Sequence, residues 1–256
     1  MSAWEAQDNA GVRVLSANRP EALNALNPSM VSGLSDALAA AVDDSNIRTL
    51  VLTGNGDAFS AGADLDLLEN PEQNREVLLT SIPAMFDALV DFPKPLLLAV
   101  NGIGIGFGAT LLGLADIVVM AEDARIRVPF STLAVVPEAC SSYTFPQIMG
   151  HQQAFWFLAS GEWMNAQQCR EAGLALEVTK QALLIDTTLR YAHKLSEFPT
   201  HTLVETKRLL RQYNREQLKA ANRAEIKTLF KLLDHPACKE GIAAIREKRK
   251  PDYGQY

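Results

Sequence analysis

The sequence predicts an α/β protein, with an α/β core to roughly residue 190 and a helical C-terminal portion after it. Three observations carry that prediction. Short apolar runs of strand type alternate with helical periodicities through the N-terminal half. From about Gln147 the chain turns helical, with Arg-, Lys- and Glu-rich faces between Leu203 and Lys250. The 256 residues are 48% hydrophobic and 21% charged, which is ordinary for a folded chain and excludes disordered, collagen-like and disulfide-scaffold classes.

Val12–Ala17 reads as the first strand and ends at Asn18-Arg19-Pro20. Asn27-Pro28 follows as an N-cap with proline at the first helical position. Met30, Val31, Leu34, Leu38 and Val42 then recur at helical spacing. Thr49–Thr53 is a strand of buried type closed by Gly54-Asn55-Gly56, and Phe92-Pro93-Lys94-Pro95 punctuates before strand Leu96–Val100. A glycine run, a short helix to about Ala115 and strand Asp116–Ala121 complete this half. No fixed-period repeat or low-complexity tract interrupts the pattern.

Pro95–Ala121 is long and apolar enough to need a membrane test. Asn101, Thr110, Asp116 and five glycines within it argue against a spanning helix, because an unpaired polar group in lipid costs several kcal/mol. With Lys+Arg 24 against Asp+Glu 30, the net charge is −6, so neither nucleic acid nor an anionic membrane is an expected partner. Cys140, Cys169 and Cys238 lie far apart without CxxC spacing, as suits reduced thiols in a cytosol-like compartment. The N-terminal Met-Ser-Ala-Trp-Glu lacks a basic segment before an apolar run, and the final Tyr-Gly-Gln-Tyr matches no peroxisomal or retention signal. A cytoplasmic location is the expectation.

Three segments have the composition for chemistry. Phe59-Ser60-Ala61-Gly62-Ala63-Asp64-Leu65 follows a strand and turn, and its small residues allow a ligand close to unpaired N–H groups. On this segment alone, a plain strand–turn–helix junction with Asp64 as cap is the favoured explanation. Asn101-Gly102-Ile103-Gly104-Ile105-Gly106-Phe107-Gly108-Ala109 formally contains the dinucleotide pattern GxGxxA, but the chain after Ala124 lacks the further alternating units such a fold requires. A glycine-rich helix start also stabilises negative charge developing on an oxygen. In Val135-Val136-Pro137-Glu138-Ala139-Cys140, burial of Glu138 in an apolar run would make it a better base near neutrality. Proline and glutamate at a helix start is the competing explanation.

Other arrangements fail. The chain has no GxSxG or HExxH motif, and His151, His193, His201 and His235 lack metal-ligand spacing, so no metal site is expected. Cys140 reads as a small buried filler. The basic run Arg246-Glu247-Lys248-Arg249-Lys250 is a solvated helix end or a phosphate contact.

In this order and spacing, the segments resemble the crotonase (enoyl-CoA hydratase/isomerase) family. The resemblance starts at Asn18-Arg19-Pro20-Glu21-Ala22-Leu23-Asn24-Ala25-Leu26, passes through Phe59–Leu65 and Asn101–Asp116, and closes at Glu247-Lys248-Arg249-Lys250-Pro251. It implies a crotonase-type spiral of ββα turns over residues 1–190, carrying an acyl-CoA site, and a helical trimerisation portion over 191–256. It also implies a homotrimer or dimer of trimers, a coenzyme A thioester as substrate and no separate cofactor. Carried over by position, the N–H groups of Ala63 and Phe107 would hold the thioester oxygen as an oxyanion. Ala22, Leu23, Ala61, Gly62, Asp64, Leu65 and Lys248 would contact the CoA ester, and Thr110, Phe130 and Val135 would line the acyl pocket. Phenylalanine at 107 departs from the glycine common there, which a main-chain donor tolerates.

Hydratases of this family hold a water between two glutamates, and the matching positions here are Thr110 and Phe130. Water addition by that route is therefore disfavoured. The run Pro-Glu-Ala-Cys-Ser-Ser-Tyr-Thr-Phe-Pro from Pro137 resembles the peroxisomal-type 3,2-enoyl-CoA isomerases, which implies Glu138 as a single catalytic base. Competing readings are other enolate chemistry on acyl-CoA (hydrolysis, dehalogenation or decarboxylation), a non-catalytic acyl-CoA binder and, distantly, a dinucleotide-dependent oxidoreductase.

Overall fold

The computed structural model of the chain describes residues 2–256. Strands β1 (Trp4–Asn9) and β2 (Val12–Ala17) form an antiparallel hairpin, and β3 (Thr49–Gly54) lies parallel to β2. The next strand, β4 (Ala58–Ser60), leaves that sheet and begins a second one. Strands β5 (Leu96–Val100) and β6 (Ile103–Ile105) repeat the step, pairing parallel with β3 and β4. So do β7 (Ile117–Ala121) and β8 (Arg125–Arg127), against β5 and β6. Finally β9 (Met164–Asn165) pairs antiparallel with β8, and β10 (Glu177–Thr179) pairs parallel with β7. Each turn of chain thus lays one strand on a six-stranded sheet and the next on a four-stranded sheet. This is the spiral of ββα turns that the resemblance implied.

Strands β3 and β5 are buried nearly throughout, so they read as unbroken apolar runs rather than alternating ones. β1 gives no such signal: from Glu5 on its residues are exposed and, Ala6 apart, polar, and it is recruited by register against β2. The apolar stretch Pro95–Ala121 is consumed by β5, β6 and β7, and no helix among the described residues is long and apolar enough to cross a membrane.

Helix α1 (Pro28–Asp43) starts where predicted, with the Asn27 side chain accepting from the Met30 N–H at 2.9 Å and Pro28 in the first turn. Its buried stripe is Met30, Val31, Leu34, Leu38 and Ala41, whereas Val42 is exposed. The 3.6-residue period has by then rotated the stripe back by one position. The cavity described below is framed by α2 (Leu65–Glu69), α3 (Ile82–Asp91) and α4 (Phe107–Thr110). After these come α5 (Ser141–Met149), α6 (His151–Ser160) and α7 (Ala166–Glu171). The short helix expected up to Ala115 is α4 followed by a 3₁₀ turn, Leu111–Gly113.

Helix α8 (Leu184–Ser196) buries Leu184, Thr188, Ala192 and Ser196 at four-residue spacing against β3, β5 and β7. Residue 190 therefore lies within a helix that covers the main sheet. Three helices follow, α9 (Thr200–Arg211), α10 (Arg215–Leu233) and α11 (Pro236–Arg246). The first of these is anchored by Lys207, whose buried ammonium donates to Asp116 at 2.6 Å and to the Lys94 carbonyl at 2.9 Å. Asp116 also accepts from the Leu96 N–H at 2.8 Å. Replacing Asp116 with Ala leaves the buried Lys207 ammonium without a counter-charge and the Leu96 N–H without that acceptor, and the expected loss is about 3–5 kcal/mol. Urea unfolding measures it; an unchanged midpoint would mean that Lys207 finds water instead.

Candidate active site

Beyond β4 the chain is laced to an earlier loop. The Ala61 N–H donates to the Leu23 carbonyl at 2.8 Å, Leu26 N–H to Gly62 carbonyl at 2.7 Å, and Asp64 N–H to Leu26 carbonyl at 2.9 Å. Alternate groups are thereby spent, and the Ala63 N–H between them is not. Gly62 has φ +82°, and a Cβ there would stand 2.7 Å from the Ile105 carbonyl oxygen. Glycine is required for both reasons, and it brings residues 61–63 against residues 105–107.

The second segment turns at Gly106, φ +52°, whose N–H donates to the Arg127 carbonyl at 3.0 Å. Phe107 is then the first residue of α4, where an N–H has no intrahelical acceptor. Among the described residues, nothing accepts from the N–H of Ala63 or of Phe107. Two unpaired donors thus sit on adjoining backbone segments at the wall of one cavity. Such a pair suits an oxygen that gains negative charge.

Glu138 lies outside α5, which begins only at Ser141, so the helix-start explanation of Pro137-Glu138 does not hold. Ala134, Ala139 and Cys140 around it all have positive φ, between 52° and 62°. Such strain needs external support. Glu225, on α10, supplies it: its carboxylate accepts from the Cys140 N–H at 2.7 Å, the Ser142 N–H at 2.8 Å and the Ser142 hydroxyl. This buried acid caps α5 from another helix, doing what the N-cap Cys140 does not.

The carboxyl of Glu138 accepts from the Thr110 hydroxyl at 3.0 Å. Protein packs around it, and the surface it retains faces the cavity. Burial pushes its pKa up from 4.5 to about 8; the Thr110 hydrogen bond opposes this and the Glu225 charge adds to it. Folded protein then holds a proton that the unfolded chain has released between pH 4.5 and about 8, so stability falls as pH rises through that window. The full effect is up to about 5 kcal/mol. Glu138→Gln removes it, so the variant's melting temperature should exceed wild type by a margin that grows from pH 5 to 8 and then levels. A constant margin would show Glu138 titrating normally.

The cavity holds about 440 Å³. Of the residues expected at the site, Ala22, Ala61, Gly62, Ala63, Asp64, Leu65, Phe107, Phe130, Val135 and Glu138 line it. Leu23, Thr110 and Lys248 do not. Leu23 is 43% exposed and contributes its carbonyl to the Ala61 N–H instead. Thr110 is fully buried behind the Glu138 carboxyl rather than on the acyl wall. Lys248 lies past the end of α11 with φ +54° and does not line the cavity; Arg246 takes the wall, held by Glu69 at 2.7 Å and by Asp66. The other cavity carboxylate, Asp64, is engaged by Arg19 at 2.8 Å and by the Asp66 N–H, as a helix cap. Sequence reasoning missed the wall built from Leu78, Ile82, Ile226, Leu229 and Leu233. These sit at ordinary helical spacing, and no local signal separates a cavity wall from core.

Residues 7–256 match the protein family described as enoyl-CoA hydratase/isomerase. The chain is 37% identical over 244 residues to 2,3-dehydroadipyl-CoA hydratase of Escherichia coli (strain K12), covering 94% of both chains. It is also 37% identical over 227 residues to enoyl-CoA delta isomerase 2 of Homo sapiens, covering 86% of this chain and 57% of that longer one. Its fold superposes on the crystal structure of an enoyl-CoA hydratase/isomerase from Pseudoalteromonas atlantica T6c with TM-score 0.91 and 33% identity, covering 98% of this chain and 99% of that one.

Proposed function

The chain belongs to the enoyl-CoA hydratase/isomerase (crotonase) family, and from that premise we propose that it is an isomerase that moves the double bond of 3-enoyl-CoA thioesters to the trans-2 position. The observation that carries this reading is that Glu138 is the cavity's one carboxylate not engaged by a cation. Thr110 and Phe130 stand at the two positions where the sequence resemblance places the glutamates of hydratases, and neither can act as a general base. The Escherichia coli relative is named as a hydratase. Water addition would need a second acid, and Asp64 is committed to Arg19.

The chemistry needs one carboxylate. Glu138 takes a proton from carbon 2, and the electron pair spreads over a dienolate whose oxygen accepts from the N–H groups of Ala63 and Phe107. The same proton returns at carbon 4, so the double bond moves and nothing is gained or lost. The α-proton of a thioester is far too weakly acidic for a free glutamate. Each oxyanion donor is worth roughly 2.7–4 kcal/mol, and the positioned base on the order of 10²–10⁴-fold. A carboxyl raised to about 8 is also a stronger base than an ordinary one. Phe107, Phe130 and Val135 beside it keep water from the dienolate. Exposed apolar side chains on α6 and α9, among them Trp156 and Leu210, support association of copies of the chain, expected as a homotrimer or dimer of trimers.

The test feeds 3-hexenoyl-CoA to the purified protein and follows the absorbance of the conjugated 2-enoyl product. A 3-hydroxyacyl product would make the protein a hydratase, and ester binding without turnover of any acyl-CoA would make it a binder. Because Glu138 must be unprotonated to accept the proton, kcat/KM should climb with pH and level off above about 8. A profile flat from pH 6 to 9 would mean that Glu138 is already ionised there and that burial does not raise its pKa.

A further inference from the structure

The two oxygens of Glu138 are not equivalent. Oε1 accepts the Thr110 hydroxyl at 3.0 Å, whereas among the described residues Oε2 has no hydrogen-bond partner. Nor is Oε2 among the sealed, partnerless polar atoms, so its free surface belongs to the cavity that Glu138 lines. Thr110 itself is fully buried on α4, the helix whose first N–H is the Phe107 donor. Its hydroxyl also lies 3.4 Å from the Phe107 carbonyl, a second and poorer acceptor. One short helix thus presents both a main-chain donor to the cavity and a side-chain donor to the carboxyl.

We propose that Thr110 is a positioning residue, pinning Oε1 of Glu138 so that Oε2 alone carries the proton between the two carbons. The role of Glu138 in this rests on the isomerase reading above. In the cycle, Oε2 forms its O–H bond as the C–H bond at carbon 2 breaks and the electron pair enters the dienolate. That O–H bond then breaks as the C–H bond at carbon 4 forms, so the carboxylate is restored. Throughout, the Thr110 proton stays on its own oxygen and only donates. A carboxyl free to rotate would present either oxygen at either carbon; one held at Oε1 swings its partner over a short arc. Threonine cannot replace a glutamate as base, but it gives a solitary glutamate a fixed bearing.

The titratable and charged groups that act on Glu138 are Glu225 from α10 and the Cys140 thiol on its own loop; Asp87 from α3 acts on that thiol. Asp64, Arg127 and Arg246 line the same cavity. None of these donates to its carboxyl among the described residues, so the Thr110 contact can be removed without altering another.

The experiment compares Thr110→Val, which keeps the shape and loses the hydroxyl, with Thr110→Ser, which keeps the hydroxyl. With 3-hexenoyl-CoA, kcat should fall roughly 10- to 100-fold in the valine variant with KM within about twofold, and serine should restore most of it. In ligand-free protein carrying ¹³C-labelled glutamate, the carboxyl resonance of Glu138, assigned by its loss in Glu138→Gln, should titrate at higher pH in the valine variant and near wild type with serine. Thr110→Ala, which introduces no new bulk, replaces valine if that variant does not fold. Unchanged kcat and an unchanged midpoint in the valine variant would overturn the proposal, as would equal losses with serine and valine. The titration needs no turnover, so it decides whether the Thr110 hydroxyl holds the Glu138 carboxyl even if wild-type protein fails to isomerise and the functional reading falls.

Discussion

Glu138→Gln lowers 3-enoyl-CoA isomerisation by roughly 10²–10⁴-fold while CoA-ester affinity stays close to wild type. Glutamine matches glutamate in size, and its carbonyl oxygen can still accept from the Thr110 hydroxyl. The loop keeps its anchor, because Glu225 holds Cys140 and Ser142 through groups the substitution does not touch. What is lost is the ability to take a proton and give it back. Steady-state kinetics with 3-hexenoyl-CoA, paired with calorimetric titration of an unreactive acyl-CoA, separates chemistry from binding. Turnover retained within a few-fold would mean that another group moves the proton, and the single-carboxylate mechanism would fall.

Gly62→Ala lowers kcat by about 10²–10³-fold, the cost of losing one oxyanion donor. The added methyl would stand 2.7 Å from the Ile105 carbonyl oxygen, and φ there is +82°. A main-chain atom on a strand cannot swing aside as a flexible side chain would. Relief comes only by moving residues 61–63 away from 105–107, which separates the N–H groups of Ala63 and Phe107. Gly150→Ala is the control: its φ is +80°, yet a Cβ meets nothing within 4 Å, and it lies between α5 and α6 away from the cavity. Both variants should lose stability through backbone strain, of order 1–3 kcal/mol. Only Gly62→Ala should lose the chemical step; a kcat equal to that of Gly150→Ala would mean that the two N–H groups do not hold the substrate oxygen.

Much of the scaffold was legible because its signals are local. Asn27-Pro28 states a helix start by hydrogen bonding and a fixed φ, and both are found there. The buried strands β3 and β5 announce themselves by unbroken apolar runs. Glycines at 62 and 106 mark positive φ and close backbone approach. Glu138 stood out as an acid inside an apolar segment, and burial does raise its pKa. The edge strand β1 was not legible, because its stability comes from pairing with β2 rather than from burial of its own side chains.

Sequence by itself determined which residues could serve: two small-residue turns with spare amides, and one acid with a reason to be a base. Only the tertiary structure decided how they are held. It set Thr110 against the Glu138 carboxyl, a contact across 28 positions. It brought Glu225 across 83 residues to cap Ser142, and it placed Arg246 rather than Lys248 at the cavity wall. It made a wall of Ile226, Leu229 and Leu233, which in sequence are only another helix stripe. The division follows from range: conformational preference acts over a few neighbouring residues, whereas hydrogen-bond partners and desolvation depend on which distant segments the packed chain brings together.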